Sequence, residues 1–448
     1  MKNKNIKIEL PQDVKLIINI LENNNFSAYA VGGCIRDSLL GRKPKDYDIT
    51  TNALPIDVIK IFKELGCQVI PTGLKHGTIT ILINKTPYEI TTFRIDGEYS
   101  DNRHPDNVQF TTLLKDDLSR RDFTINSMAY NDTEGLIDYF GGINDLNNKI
   151  IRCVGDSNDR FNEDALRMLR ACRFSAQLGF EIEEKTFLAI ICNDELIKNV
   201  SKERVQSELN KILLSDHPDY ISQLYIYEIL DDILPEYADC FECTQINPYH
   251  VYNVGTHIKE SIKQIETKLS LRLAMLFHDI AKPQCKITDE QGIDHFYGHA
   301  EESSKIAEII LRRLKYDNTT IDKVTTLIKY HDIEITSNKQ IRKLLNKIGE
   351  ENLRDLLKVK EADIKAQNPD FYEDRHNHLL EVENKINEIV EQQQCFSLKD
   401  LDINGHDLIK LGYKGKEIGY LLNGLLEQVL DNPELNSKDE LLKLLSED

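Results

Sequence analysis

Residues 31–48, VGGCIRDSLLGRKPKDYD, constrain this chain more than any other stretch. They read as a Gly-Gly turn, a helix from Cys34 to Leu40, a basic turn, and a strand carrying Asp46 and Asp48. Side chains two apart on a strand share a face. The two carboxylates therefore stand side by side, which is costly unless a cation or a proton neutralises them. Mg²⁺ suits such a pair because it shares its shell with substrate phosphates. Gly32 and Gly33 let backbone approach a ligand, and the first N–H groups of the following helix favour an anion. Arg36 sits in that first turn. Neither GG nor D-x-D is distinctive alone. In this order and this close together they point to a nucleoside triphosphate site.

The flanking sequence predicts a compact α/β unit ending near residue 150. A helix is expected over 11–26, a short strand over Ala28–Val31, and an amphipathic helix over Ala53–Leu65. Strand-like runs follow in CQVIPT, GTITILIN and PYEITTFRI. Alternation in the last run turns Glu89 to one face, where it can join Asp46 and Asp48 as a third carboxylate. The polar, turn-rich run Asp96–Asn107 predicts a long loop, and such loops are often functional. Asp117–Tyr130 opens with Arg120-Arg121-Asp122 and is expected to continue into a helix that carries Asn126.

At 448 residues the chain exceeds what one core supports, so two to four domains are expected. Its 40% hydrophobic and 29% charged content are those of a soluble globular protein. The N-terminus lacks the apolar stretch of a secretory signal, and no run is long enough to span a membrane. Nine scattered cysteines fit reduced thiols in a cytoplasmic protein. A net charge of −19 argues against broad electrostatic binding of nucleic acid and leaves room for a local basic groove.

Beyond residue 150 the sequence is nearly all helical in pattern. In FNEDALRMLRACRFSAQL, Asp164, Arg167, Arg170 and Arg173 recur every third residue. On one continuous helix the first three share a side and Arg173 drifts away. Leu166, Leu169, Phe174 and Leu178 supply the apolar remainder, so the arginines beside them need partners such as phosphate or a base edge. Further on, His257, His278-Asp279, His299, His331-Asp332 and Asp363 are distributed over successive helical segments. Imidazoles plus carboxylates in that arrangement make a transition-metal site.

The order GGxxRD, D-x-D, RRDFTIN and EDALRMLRACRF resembles the class II tRNA nucleotidyltransferases, the CCA-adding enzymes and their bacterial poly(A) polymerase relatives. The likeness is closest over about residues 28–180 and continues through SKERVQSEL to the C-terminal INGHDLIKLGYKGKEIGYLL. It implies an α+β fold. A small β-sheet nucleotidyltransferase head (1–150) precedes a helical neck (151–220), a body (221–370) and a tail that contacts tRNA (371–448). It also implies that Asp46 and Asp48 hold Mg²⁺ with Glu89 as third acid, that Gly33 and Arg36 meet the triphosphate, and that Arg121 and Asn126 contact phosphate and ribose. Asp164 and Arg167 would read the base, with Arg170 and Arg173 nearby. Cytosine and adenine each offer an amino donor beside a ring-nitrogen acceptor, whereas guanine and uracil offer a carbonyl beside an N–H. A carboxylate only accepts and a guanidinium only donates, so an Asp/Arg pair selects C and A without a nucleic-acid template.

The apolar helix ending in His278-Asp279-x-x-Lys282-Pro resembles the HD phosphohydrolase domain. The likeness implies that His257, His278, Asp279 and a late aspartate, Asp363 or Asp332, hold one divalent metal. His299 and His331 are then available for a second. Copies of this domain on nucleotidyltransferases act as phosphatases or cyclic phosphodiesterases toward RNA ends. The likeness also implies a flexible loop between D-x-D and RRD, present here with Arg94, Asp96, Tyr99, Asp101, Arg103 and Pro105. The expected activity is therefore complete CCA addition to tRNA from CTP and ATP by one chain. CC-only, A-only or poly(A) addition, or a phosphohydrolase whose head only binds nucleotide, are the alternatives.

Overall fold

The computed structural model describes residues 2–3, 5–97 and 107–447, in two compact units, Met1–Ile233 and Leu234–Asp448. The first unit is built on β1 (Lys2–Asn3), β2 (Ala28–Val31), β3 (Asp48–Thr51), β4 (Gln68–Gly73), β5 (Thr78–Ile83), β6 (Thr86–Thr92), β7 (Arg94–Asp96), β8 (Val108–Phe110), β9 (Met128–Asn131) and β10 (Gly135–Asp138). Eight of these form one sheet in the order β1-β10-β9-β2-β3-β6-β5-β4. The strands β7 and β8 pair separately at the two ends of the 98–106 segment.

Strand alternation decides which side chains fill which layer. On β2, Ala28 and Ala30 enter a core with Val14, Ile17 and Leu21 from helix Gln12–Asn23 and Val58 and Phe62 from helix Pro55–Glu64. Tyr29 and Val31 face the other way, onto Phe93, Leu114, Leu118 and Ile137. Phe62 is fully buried, which is worth about 1.5–3 kcal/mol relative to exposure. Two expectations need correcting. Residues 117–130 are no helix: a helix over Leu114–Ser119 and a tight turn at Thr124–Asn126 lead into β9. That strand is buried throughout and pairs with both β2 and β10, so sheet contacts override local pattern. The strand after the Gly-Gly turn begins at Asp48, leaving Asp46 just ahead of it.

The helix expected over 161–178 is also broken. Asp164 (φ −147, ψ 102) separates Ser157–Glu163 from Leu166–Leu178. Residues 221–233, placed with the body by sequence, pack in the first unit. The second unit is a helical array that includes Val254–Gln264, Leu269–Phe277, His299–Arg313, Asn318–Tyr330, Asn338–Lys365 and Tyr372–Glu391. Residues 395–445 carry a separate small core around Ile403, Leu408, Leu425 and Val429. Among the described residues no helix is long and apolar enough to cross a membrane.

Candidate functional site

The first unit holds a cleft of 750 Å³. Its lining includes Gly33, Arg36, Asp46, Asp48, Arg121, Asn126, Arg170 and Arg173. The turn that opens it depends on glycine. Gly32 has φ +86, and a Cβ there would stand 3.1 Å from Arg121 Nη1. Helix Gly33–Leu39 then brings Arg36 in, where its Nη1 donates to Asn126 Oδ1 at 2.6 Å.

Asp46 and Asp48 both face solvent, while Tyr47 between them packs on the sheet core. The two carboxylates thus share a side although only Asp48 is in the strand. Ile49 of β3 lies opposite Ile90 of β6, so Asp48 just ahead of that pair is near enough to Glu89 to feel its charge. The outer edge of Asp48 is open, yet partial burial pushes its carboxyl up. Arg121 opposes this, and the charges of Asp46 and Glu89 add to it. Asp48 thus carries its charge near two further acids, an arrangement that favours a nearby cation.

A second network fixes the basic wall. Asp122 accepts from the Phe123 N–H at 2.8 Å, Asn126 Nδ2 at 3.1 Å and Arg170 Nε at 2.9 Å. Burial alone would raise its carboxyl; Arg170 and Asn126 outweigh burial and hold it far below the usual carboxylate range. Asp117 is buried against Arg120, Arg121 and Thr50, and so positions Arg121. The guanidinium carbons of Arg173, Arg36 and Arg170 lie 3.9, 4.9 and 5.5 Å from the centre of the Phe174 ring. Burial, with Arg170 adding to it, lowers Arg173 to about 10, and Glu208 at 3.0 Å opposes. So much positive charge around one ring favours an anionic ligand.

Asp164 and Arg167 are not paired with each other. Asp164 takes both nitrogens of Arg204, at 3.1 and 2.8 Å, and accepts from Leu166 N. Arg167 bonds Glu163 and, at 3.1 Å each, the carbonyls of Arg160 and Arg120. The break at Asp164 is the reason, since it removes that residue from the helix face of Arg167. Tyr99, Asp101, Arg103 and Pro105 lie outside the described residues. Arg94 and Asp96 stand at the foot of that segment, 2.9 Å apart. Sequence reasoning missed Asp117, Glu208 and Arg204 entirely and did not give Asp122 its role. Asp122 was visible in RRD, but its partner Arg170 lies 48 residues on.

The second unit assembles the histidines. His257, His278 and Asp279 form one group of candidate ligands, and Asp279, His299 and His331 form another. Asp363 Oδ1 is 2.9 Å from His257 Nε2, whereas Asp332 only lines the adjoining cleft. Each ring faces a backbone carbonyl through Nδ1: His257 to Ala366, His278 to Met275, His299 to Phe296 and His331 to Ile328. With Nδ1 turned to a carbonyl, every Nε2 faces inward, where a metal can take the place of a proton. Nε2 atoms then meet at 3.2 Å (His257 and His278) and 3.3 Å (His299 and His331). Burial pushes His278 down, but Asp279 and Asp363 outweigh it and hold it up at about 10. The donor set is thus fitted to positive charge, and a divalent metal satisfies it better than a proton. The nine cysteines are free thiols, including Cys240 and Cys243, which burial pushes up.

Residues 28–152 match the family model "Poly A polymerase head domain", 179–241 match "Probable RNA and SrmB- binding site of polymerase A", and 287–445 match a "tRNA nucleotidyltransferase domain 2" model. The CCA-adding enzyme of Lactobacillus helveticus is 35% identical over 450 residues, 99% of either chain. The chain belongs to the CCA-adding enzyme family. Another member, from Staphylococcus haemolyticus, is 32% identical over 98% of both chains. The crystal structure of the Bacillus stearothermophilus CCA-adding enzyme in complex with CTP superposes with a TM-score of 0.69 at 27% identity, over 97% of this chain and 96% of that one. The Thermotoga maritima CCA-adding enzyme complexed with tRNA shares the fold, with a TM-score of 0.61 at 22% identity over 99% and 97% of the chains.

Proposed function

We propose that this member of the family adds C, C and A to the 3′ end of tRNA, taking CTP and ATP in the cleft of the first unit. The observation that carries the reading is a cleft in which Asp46 and Asp48 face Arg36, Arg121, Arg170 and Arg173 around a Gly-Gly turn. Asp46 and Asp48, with Glu89 beside them, would hold Mg²⁺, which supplies charge neutralisation at the attacking and leaving oxygens. The chain's own groups do the rest. Backbone at Gly33 and the guanidiniums of Arg36 and Arg121 bind the triphosphate, and Asn126 orients the ribose. Asp122 and Asp117 keep Arg170 and Arg121 aimed.

Asp164 and Arg167 select C and A once Asp164 gives up Arg204 and Arg167 gives up Glu163. We assign residues 1–150 to a head, 151–233 to a neck, 234–370 to a body and 371–448 to a tail that contacts tRNA. Free thiols fit action in the reducing cytoplasm.

A second reading is favoured by the inward-facing Nε2 set: the body is also a metal-dependent phosphohydrolase, held by His257, His278, Asp279 and Asp363 with His299 and His331 at a second position. Incubation with α-labelled CTP or ATP and tRNA lacking its last three nucleotides tests the first reading. Label should enter the tRNA. Nucleotide hydrolysis without extension would leave only the second.

A further inference from the structure

We propose that Arg375 is the phosphate anchor of the cleft beside the histidine–aspartate cluster, and that this cleft takes a phosphorylated nucleoside. The assignment rests on reading that cluster as a metal-dependent phosphohydrolase centre, and it adds a residue outside the ligand set.

Arg375 lies in the first turn of helix Tyr372–Glu391, beyond the sequence-expected end of the body at 370. It lines a 700 Å³ cleft shared with Asp279, His299, His331 and Asp363. Its guanidinium meets Gln367 Oε1, and Gln367 Nε2 donates to Asp363 Oδ1 at 2.9 Å. Two hydrogen bonds thus tie Arg375 to a candidate ligand, which fixes where its remaining N–H groups point.

Its charge is available for a ligand. Among the described residues no carboxylate lies within ion-pair distance of Arg375, whereas Lys282 in the same cleft is committed to Asp279 at 2.6 Å. Two divalent ions held by Asp279, Asp363 and neutral imidazoles would leave the cluster net positive, and Arg375 would extend that charge outward. An anion is the complementary ligand, and a planar fork suits two oxygens of one phosphate.

The rim supplies the remaining chemistry. Tyr297 is 73% exposed and stacks on His295 with ring centres 5.4 Å apart. Tyr249, also half exposed, is braced by Phe371 at 4.9 Å. Exposed aromatic faces held rigid beside a phosphate site are platforms for a base.

The test measures binding of 3′-AMP, and of adenosine as the phosphate-free control, to the full chain loaded with Ni²⁺. Wild type is compared with Arg375→Gln, Arg375→Lys and His278→Ala, the last reporting any binding elsewhere on the chain. Arg375→Gln should weaken 3′-AMP about tenfold or more, as expected for a lost charge-assisted bond. Adenosine affinity, bound nickel and melting temperature should stay at wild-type values, and Arg375→Lys should fall between. Equal 3′-AMP affinity in wild type and Arg375→Gln, with His278→Ala weaker, overturns the role of Arg375 alone. Equal affinity in wild type and His278→Ala overturns the phosphohydrolase reading with it.

Discussion

Asp48→Asn separates what the acidic cluster does for chemistry from what it does for stability. In the metal-free protein, burial and the charges of Asp46 and Glu89 disfavour the Asp48 carboxylate, and Arg121 only partly offsets them. Exposed carboxylates about 4 Å apart in water repel by about 1 kcal/mol. Because Arg121 takes back part of that, the gain from removing the charge is a few tenths to about 1 kcal/mol. For a unit of this size, each kcal/mol moves the melting temperature by about 2–4 °C. Metal-free Asp48→Asn should therefore melt at the wild-type temperature or up to a few degrees higher. Mg²⁺ should stabilise the wild type and leave the variant unmoved. Transfer should fall at least about a thousandfold, since a metal carboxylate supplies several kcal/mol in the transition state. The assays are calorimetry with and without Mg²⁺, and CMP incorporation into tRNA. A variant that melts several degrees lower without metal, or keeps more than about a hundredth of the activity, refutes the reasoning.

Asp122→Asn should cost about 2 kcal/mol, below the 3–5 typical of a broken buried pair, because Arg170 keeps 32% of its side chain in solvent. KM for both CTP and ATP should rise as Arg170 and Asn126 lose their anchor, read from steady-state kinetics. Acid should destabilise the first unit through the same groups. Asp117 and Asp122 titrate below their ordinary value when folded, so their contribution is complete above about pH 4 and is lost as pH falls below it. Urea melts between about pH 3 and about pH 5, one unit on either side of that value, check this. His278→Ala with Asp279→Ala should abolish metal-dependent phosphatase activity toward 3′-phosphorylated nucleotides and spare CCA addition. Loss of both activities would tie the two units together.

The parts legible in the sequence were those set by short-range periodicity. Two-residue alternation predicts Asp46, Asp48 and Glu89 on one side; the register of β3 against β6 brings Asp48 toward Glu89, whereas Asp46 lies ahead of the strand and outside that ladder. Histidines ending or opening successive helices could be expected to converge, and distance favours Asp363 over Asp332. What could not be read depends on long-range pairing. Nothing local shows that Asp122 belongs to Arg170, that Glu208 belongs to Arg173, or that SMAYN is a central strand. The helix break at Asp164 was hidden because EDALRMLRACRF is a good helical sequence. Capping of Leu166 N and the bidentate hold of Arg204 stop it there. Arg375 and Gln367 carry no motif, and only the packing of their helices reveals them.

Complete CCA addition is tested most directly by the length and sequence of the product. Purified protein, Mg²⁺ and tRNA lacking its last three nucleotides are incubated with CTP alone, ATP alone, and both, and the tRNA ends are resolved on a gel and sequenced. The proposed function predicts two C residues with CTP alone, and CCA with no further growth when both are present. A product that stops at CC with ATP available, one that takes A only after a preformed CC, or a run of A residues would contradict it.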